Sequence, residues 1–363
     1  MRRTSTWLAA VSGLALVSTP IAAQSAPVGT ASGTDITNTV QVNYTVGGVA
    51  QNQITATDTF KVDRRINVTV ATLDTAAVTV SPGQTNAVTT FTVTNNSNAT
   101  LDFLLAATNQ ASGAATFGGN DNFNVTNIRI FRETGTTAGF DASDQLVTSL
   151  SNLASGDAAT VYVVSDMIIT PGSPPVLPAN GDIATVILSA TAASGGTAIT
   201  QTPSTTPNGR TTVETIFADL AGVATGDTAR DGRHSARSDY RVSGAALTVT
   251  KVSRVIDDYL GSSSPRSVPG ALVEYCIVVT NASGAAAANA LALTDVVPAA
   301  MTYEPGTVYL NGAFTAPDTC AATGGTAGSD SANYNAGTRT VSHTFSSIGA
   351  GETRTLRFRA KIN

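Results

Sequence analysis

Apolar residues in this chain recur at every second position, in short runs such as Val40, Val42, Tyr44, Val46; Ile66, Val68, Val70; Leu101, Phe103, Leu105; and Val273, Tyr275, Ile277, Val279. A strand sends successive side chains to opposite faces, so each run lines one face of a half-buried sheet. The runs are separated by turn residues: Gly47-Gly48, Pro82-Gly83, Asn95-Asn96-Ser97-Asn98, Pro269-Gly270, Pro305-Gly306 and Gly349-Ala350-Gly351. Beyond the first residues, no stretch keeps the spacing of a helix long enough to form one. The pattern predicts an all-β fold of tandem immunoglobulin-like β-sandwich domains.

Charged residues make up 12% of the chain, about half the usual share, so Thr, Ser and Asn must hydrate the surface. The net charge is -5 and there is no basic tract, which excludes the phosphate-binding electrostatics of a nucleic-acid partner. Only two histidines are present, leaving little material for acid–base chemistry or a zinc centre.

The N-terminus reads as a secretory signal peptide over residues 1–23. Arg2 and Arg3 precede an apolar run over 7–17, then Thr19-Pro20 and the small residues Ile21-Ala22-Ala23. Cleavage is expected after Ala23, with Ser25 as the alternative. The apolar run is too short to cross a hydrocarbon layer of about 30 Å, and no transmembrane segment is expected in the mature chain. The protein is therefore expected to be exported to the cell surface, the medium or the periplasm.

Residues 24–65 read as a lead-in and a β-hairpin turning at Gly47-Gly48. A lone hairpin is marginal in water, so it must add to the next sheet or pair with another molecule. Residues 66–200 read as a sandwich. Residues 201–244 read as a connection with a mixed-sign, solvated patch (Asp227, Arg230, Asp231, Arg233, His234, Arg237, Asp239, Arg241) and one strand near 213–218 belonging to the preceding sheet. Residues 245–363 read as a second sandwich. The stretches TFTVTNNSNATL at 90–101 and EYCIVVTNASGAAA at 274–287 share a plan: an alternating strand, Thr-Asn, then a loop of small residues.

The cysteines, Cys276 and Cys320, are expected to form one disulfide in an oxidising compartment, with two buried free thiols as the alternative. Asp141 and Asp144, with Glu133 upstream, are candidate calcium ligands, weighed against a polar turn between strands. The Asn/Asp cluster at 118–123 invites the same reading. His234, Ser235 and Asp231 lie close together, but without a nucleophile elbow they make no hydrolase site. His343 alternates with Val341 and Phe345 and is expected on a half-buried face, while Arg357 and Arg359 are expected on the wet face opposite Leu356, Phe358 and Ala360. Asn43, Asn67 and Asn281 head Asn-X-Ser/Thr sequons.

The last third resembles the repeat called domain of unknown function eleven. The likeness rests on ALTVTKVSRVID, SVPGALVEYCIVVTNASG, ALTDVVPAAMTYEPGTVYLNG and IGAGETRTLRFRAKI. It includes Lys251, Pro269-Gly270, Tyr275, Thr280-Asn281, Thr294-Asp295, Pro298, Tyr303 and Gly351-Glu352. The resemblance implies an immunoglobulin-type sandwich used as a spacer or adhesive stalk in envelope proteins, without enzymatic activity. The expected function is an exported structural or adhesive envelope protein, not an enzyme, carrying no cofactor unless calcium binds. Its partners would be envelope or extracellular proteins, glycans or further copies of itself. The alternatives are a self-assembling filament or surface-layer subunit that donates its N-terminal strand, and a calcium-dependent carbohydrate or protein binder.

Overall fold

The computed structural model describes residues 28–363 except 136, 262, 322 and 323. The expected leader and both cleavage positions lie outside the described residues. Strands account for 50% of the chain and helix for 1%, so the fold is all-β and of sandwich type.

The chain enters through β1 (Asp35–Val42) and β2 (Ile54–Lys61), an antiparallel pair forming a sheet of its own. The ribbon does not join the sheet that follows. The next strands are β3 (Val68–Thr72), β4 (Val78–Val80), β5 (Ala87–Asn95), β6 (Leu101–Asn109), β7 (Thr126–Arg132), β8 (Gln145–Leu146), β9 (Ser149–Leu153), β10 (Ala158–Asp166), β11 (Ile183–Ser194) and β12 (Arg233–Val242). They form two sheets, ordered β8-β7-β10-β5-β3 and β9-β6-β11-β12-β4. Strand β5 alternates strictly, with Phe91 and Val93 fully buried and Thr90, Thr92 and Thr94 turned outward. Across from them Phe103, Val186, Leu188 and Ala190 close one core. Burying each large apolar side chain contributes roughly 1.5–3 kcal/mol.

Strand β12 corrects the sequence reading of 201–244 as a solvated connection. It pairs with β11 along its length and with β4 in parallel, placing it inside the sheet. Its buried polar residues are matched by distant partners. Asp239 accepts from the Thr185 hydroxyl (2.7 Å) and the Phe117 N–H (2.7 Å), and Ser238 donates to Asp74 (2.6 Å). Those partners are invisible to a hydropathy pattern, and satisfying them offsets the cost of burial. The strand expected near 213–218 exists as Thr215–Phe217, but it pairs with Arg64–Ile66 in a separate parallel sheet.

The chain continues through β13 (Leu247–Asp257), β14 (Leu272–Asn281), β15 (Ala288–Val296), β16 (Thr340–Ile348) and β17 (Thr353–Ile362). Strands β13-β14-β17 lie side by side in one sheet and β15-β16 in another. Val273, Ile277, Leu356, Phe358 and Ala360 form a second apolar cluster with Tyr303 and Val341. The opposite face of β14 is buried as well. Tyr309–Leu310 and Thr326–Ala327 extend the sheet beyond β17, and between them a flap packs Phe314 and Cys320 on that face, tied down by the Cys276–Cys320 disulfide.

The two halves share a loop clamp in atomic detail. Asn95 ends β5 and Asn281 ends β14, and both are completely buried. The Asn95 amide donates to the carbonyls of Ala99 (2.9 Å) and Leu153 (2.8 Å); that of Asn281 donates to Ala286 (2.8 Å) and Ile348 (3.2 Å). Gly156 and Gly351 donate to the carbonyls of Asn95 and Asn281, while those asparagines' own N–H groups reach Asp157 and Glu352. Both glycines adopt positive φ, 83° and 71°, a region costly for a side chain bearing Cβ. Strand pairing repeats too: β3-β5-β10 with β6-β9 in the first half, and β13-β14-β17 with β15-β16 in the second.

Candidate contact surfaces

The surface that stands out is the ribbon β1–β2. Its register opposes Ile36 to Phe60, Val40 to Ala56 and Val42 to Ile54, so these side chains share one face. That face is open: Val40 is 57% exposed, Ile54 56% and Phe60 47%. Near the tip, Val46 opposes Val49, and both are exposed with Tyr44 beside them. The reverse face is polar. Thr37 bonds Thr59 (3.1 Å), Thr39 bonds Thr57 (3.0 Å), and Lys61 pairs with Asp35 (2.8 Å). Arg210 anchors the ribbon to the rest of the described chain, accepting the Lys61 N–H at the base and pairing with Asp58 partway along the apolar face.

The candidate calcium ligands fall together in the loop after β7. Glu133 accepts from the Tyr162 hydroxyl (2.6 Å) and from the N–H groups of Gly135 (2.8 Å) and Gly139 (3.3 Å). The tyrosine bond, ahead of the two N–H groups, holds its carboxyl below the ordinary range. The Ser143 hydroxyl and N–H do the same for Asp141. Asp144 accepts from the N–H groups of Asp141 and Thr134. Burial first, then the bond to Glu133, pushes the Tyr162 phenol up to about 12. The three carboxylates thus fold the loop by taking its N–H groups. Among the described residues no cluster of three or more His, Cys, Asp or Glu is arranged to hold a metal. In the 118–123 stretch, Asp121 accepts from the Thr185 N–H and Asn122 bonds Ile183 and Asp182, which docks the loop on β11.

His234, Ser235 and Asp231 do not converge. His234 Nδ1 accepts from the Val70 N–H (3.1 Å), Ser235 donates to Asp227 (2.5 Å), and Asp231 accepts from Thr228 and Arg233 N–H groups. Adjacent residues of one strand face opposite sides, which separates the imidazole from the hydroxyl. Arg233 and Arg237 instead line a polar groove of about 520 Å³ on the outer face of β6-β11-β12, with Gln110, Ser189 and Thr191.

The expected wet face of β17 needs correction. Glu274 is 1% exposed and receives two-pronged bonds from Arg254 (3.0 and 3.2 Å) and Arg359 (3.0 and 3.1 Å), with Arg357 at 3.7 Å. Arg357 is itself buried, stacked over Tyr309 (4.4 Å) beneath the flap. Alternation assigned these arginines to the correct face, but could not show that the flap carrying Phe314 and Cys320 covers it. His343 is half-buried as expected, beside Phe345 and the Asn333 amide. Asn281 is too deeply buried to accept a glycan.

Comparison of the sequence with known protein families finds no match, and comparison with curated proteins finds none either. Among the described residues no helix is long and apolar enough to cross a membrane.

Proposed function

We propose that this chain is an exported structural or adhesive envelope protein. In this reading, two related immunoglobulin-like units act as a rigid spacer and an exposed strand pair makes contact with a partner. The observation that carries it is the twofold recurrence of the Asn95 and Asn281 clamps on the same strand plan, joined to a projecting ribbon with an open apolar face. Repeating a sandwich lengthens a molecule without adding reactive chemistry. A large exposed apolar patch on an otherwise well-packed protein marks an interaction site. The leader features and the single disulfide fit an oxidising destination, and the resemblance of the last third to a surface-protein repeat points the same way.

Cell fractionation tests the proposal. The protein should appear in the envelope or medium, shortened at its N-terminus, and a chain lacking residues 2–23 should stay in the cytoplasm. Recovery of full-length protein in the cytoplasm would sink it.

A further inference from the structure

The ribbon β1–β2 is a two-stranded sheet whose apolar face, among the described residues, is open apart from the Arg210–Asp58 ion pair. We infer that its partner is a second copy of this protein, the two ribbons packing face to face about a twofold axis into a four-stranded sandwich.

Three observations favour a copy over a different partner. The first is area. The exposed surface of Ile36, Val40, Val42, Ile54 and Phe60 is on the order of 500 Å² per chain, and the tip residues Tyr44, Val46 and Val49 raise the apolar surface available to about 800 Å², the size of one partner's share of a standard interface. The second is charge. The shared rows of the ribbon carry one carboxylate on the apolar face, Asp58, and Arg210 of the same chain neutralises it. A second copy therefore meets no uncompensated like charge, and the face offers no charge pattern that would select an unlike protein. The third is geometry. Two copies of one apolar ribbon face carry the same right-handed twist and can meet about a twofold axis, as an isologous interface requires, with the two faces about 10 Å apart. The polar reverse face, with its threonine pairs and the Lys61–Asp35 bridge, then stays in water.

Face packing also fits the structure better than strand donation. All eight rows from Asp35↔Lys61 to Val42↔Ile54 are paired within the ribbon, and a lone donor strand would break every one. The inference deepens the contact role proposed above, but it does not depend on export. A protein that is exported yet monomeric would overturn the pairing alone, and a dimer retained in the cytoplasm would overturn export alone.

Analytical ultracentrifugation of the purified mature chain at tens of micromolar tests it. The wild type should sediment as a dimer. The triple variant V40T/V42T/I54T keeps strand-favouring side chains while making the face polar, and should raise the dimer dissociation constant about 100-fold or more. The variant T37S/T57S on the reverse face should leave it unchanged. A further variant, with residues 37–59 replaced by a short Gly-Ser linker, should be monomeric with an unaltered melting transition, which separates loss of contact from loss of fold. A monomeric wild type would overturn the proposal and leave the face to an unlike partner. Dimers persisting in the triple variant or in the linker-replaced chain would overturn it equally.

Discussion

Asn95 and Asn281 each bridge two loops through buried bonds that water cannot replace. Removing one side-chain amide strands two carbonyls, at about 1–3 kcal/mol for each buried group left unpaired. Asn95→Ala and Asn281→Ala should each lower stability by roughly 3 kcal/mol in urea unfolding. Glu274 holds three guanidiniums, of which Arg357 is buried. Burial holds the Arg357 guanidinium below the usual arginine range, and Glu274 opposes that effect. Glu274→Gln leaves a buried cation uncompensated and should cost about 3 kcal/mol or more, seen as a fall in Tm. At His343, burial holds the imidazole below its ordinary value of 6.5. The unfolded chain therefore binds the proton more readily than the folded one. The stabilising contribution is fully present above about pH 6.5 and is lost as pH falls below it. The slope of Tm against pH between about 7 and 5 should flatten in His343→Gln.

Single elements show where sequence reading stops. The alternation of β5 is legible because one face is packed and the other is wet. Strand β14 is harder to read, since both faces are buried: Val273 and Ile277 against one cluster, Cys276 and Val278 beneath the flap, and Glu274 among three arginines. That flap rests on the disulfide, which closes 44 residues. Cys276→Ala/Cys320→Ala should lose about 4 kcal/mol by the loop-closure account, read by chemical denaturation. The loop after β7 carries the acidic residues of a cation site, but their oxygens already receive backbone N–H groups. Millimolar calcium should therefore leave Tm unchanged, and a rise of several degrees would show that the loop opens to bind the ion. The presence of Glu133, Asp141 and Asp144 in one loop is readable from residue types; the direction of the Glu133 oxygens depends on Tyr162, which sits on a different strand.

At the scale of the whole molecule, the two apolar clusters share no residue. Destabilisation by Asn95→Ala and Asn281→Ala should then add within about 0.5 kcal/mol in the double variant, as for sites without common partners. Strand period, turn positions and the twin Thr-Asn plan are local properties, carried by neighbours along the chain, and they were enough to specify an all-β sandwich-type fold. The membership of β12, the covering of Arg357 and the isolation of the ribbon are not local. Each depends on which segments meet after the chain has closed loops of tens or hundreds of residues. A charged strand reads as solvated until Thr185, Phe117 and Asp74 arrive to satisfy it, and an alternating hairpin reads as part of a sheet until folding leaves its apolar face uncovered.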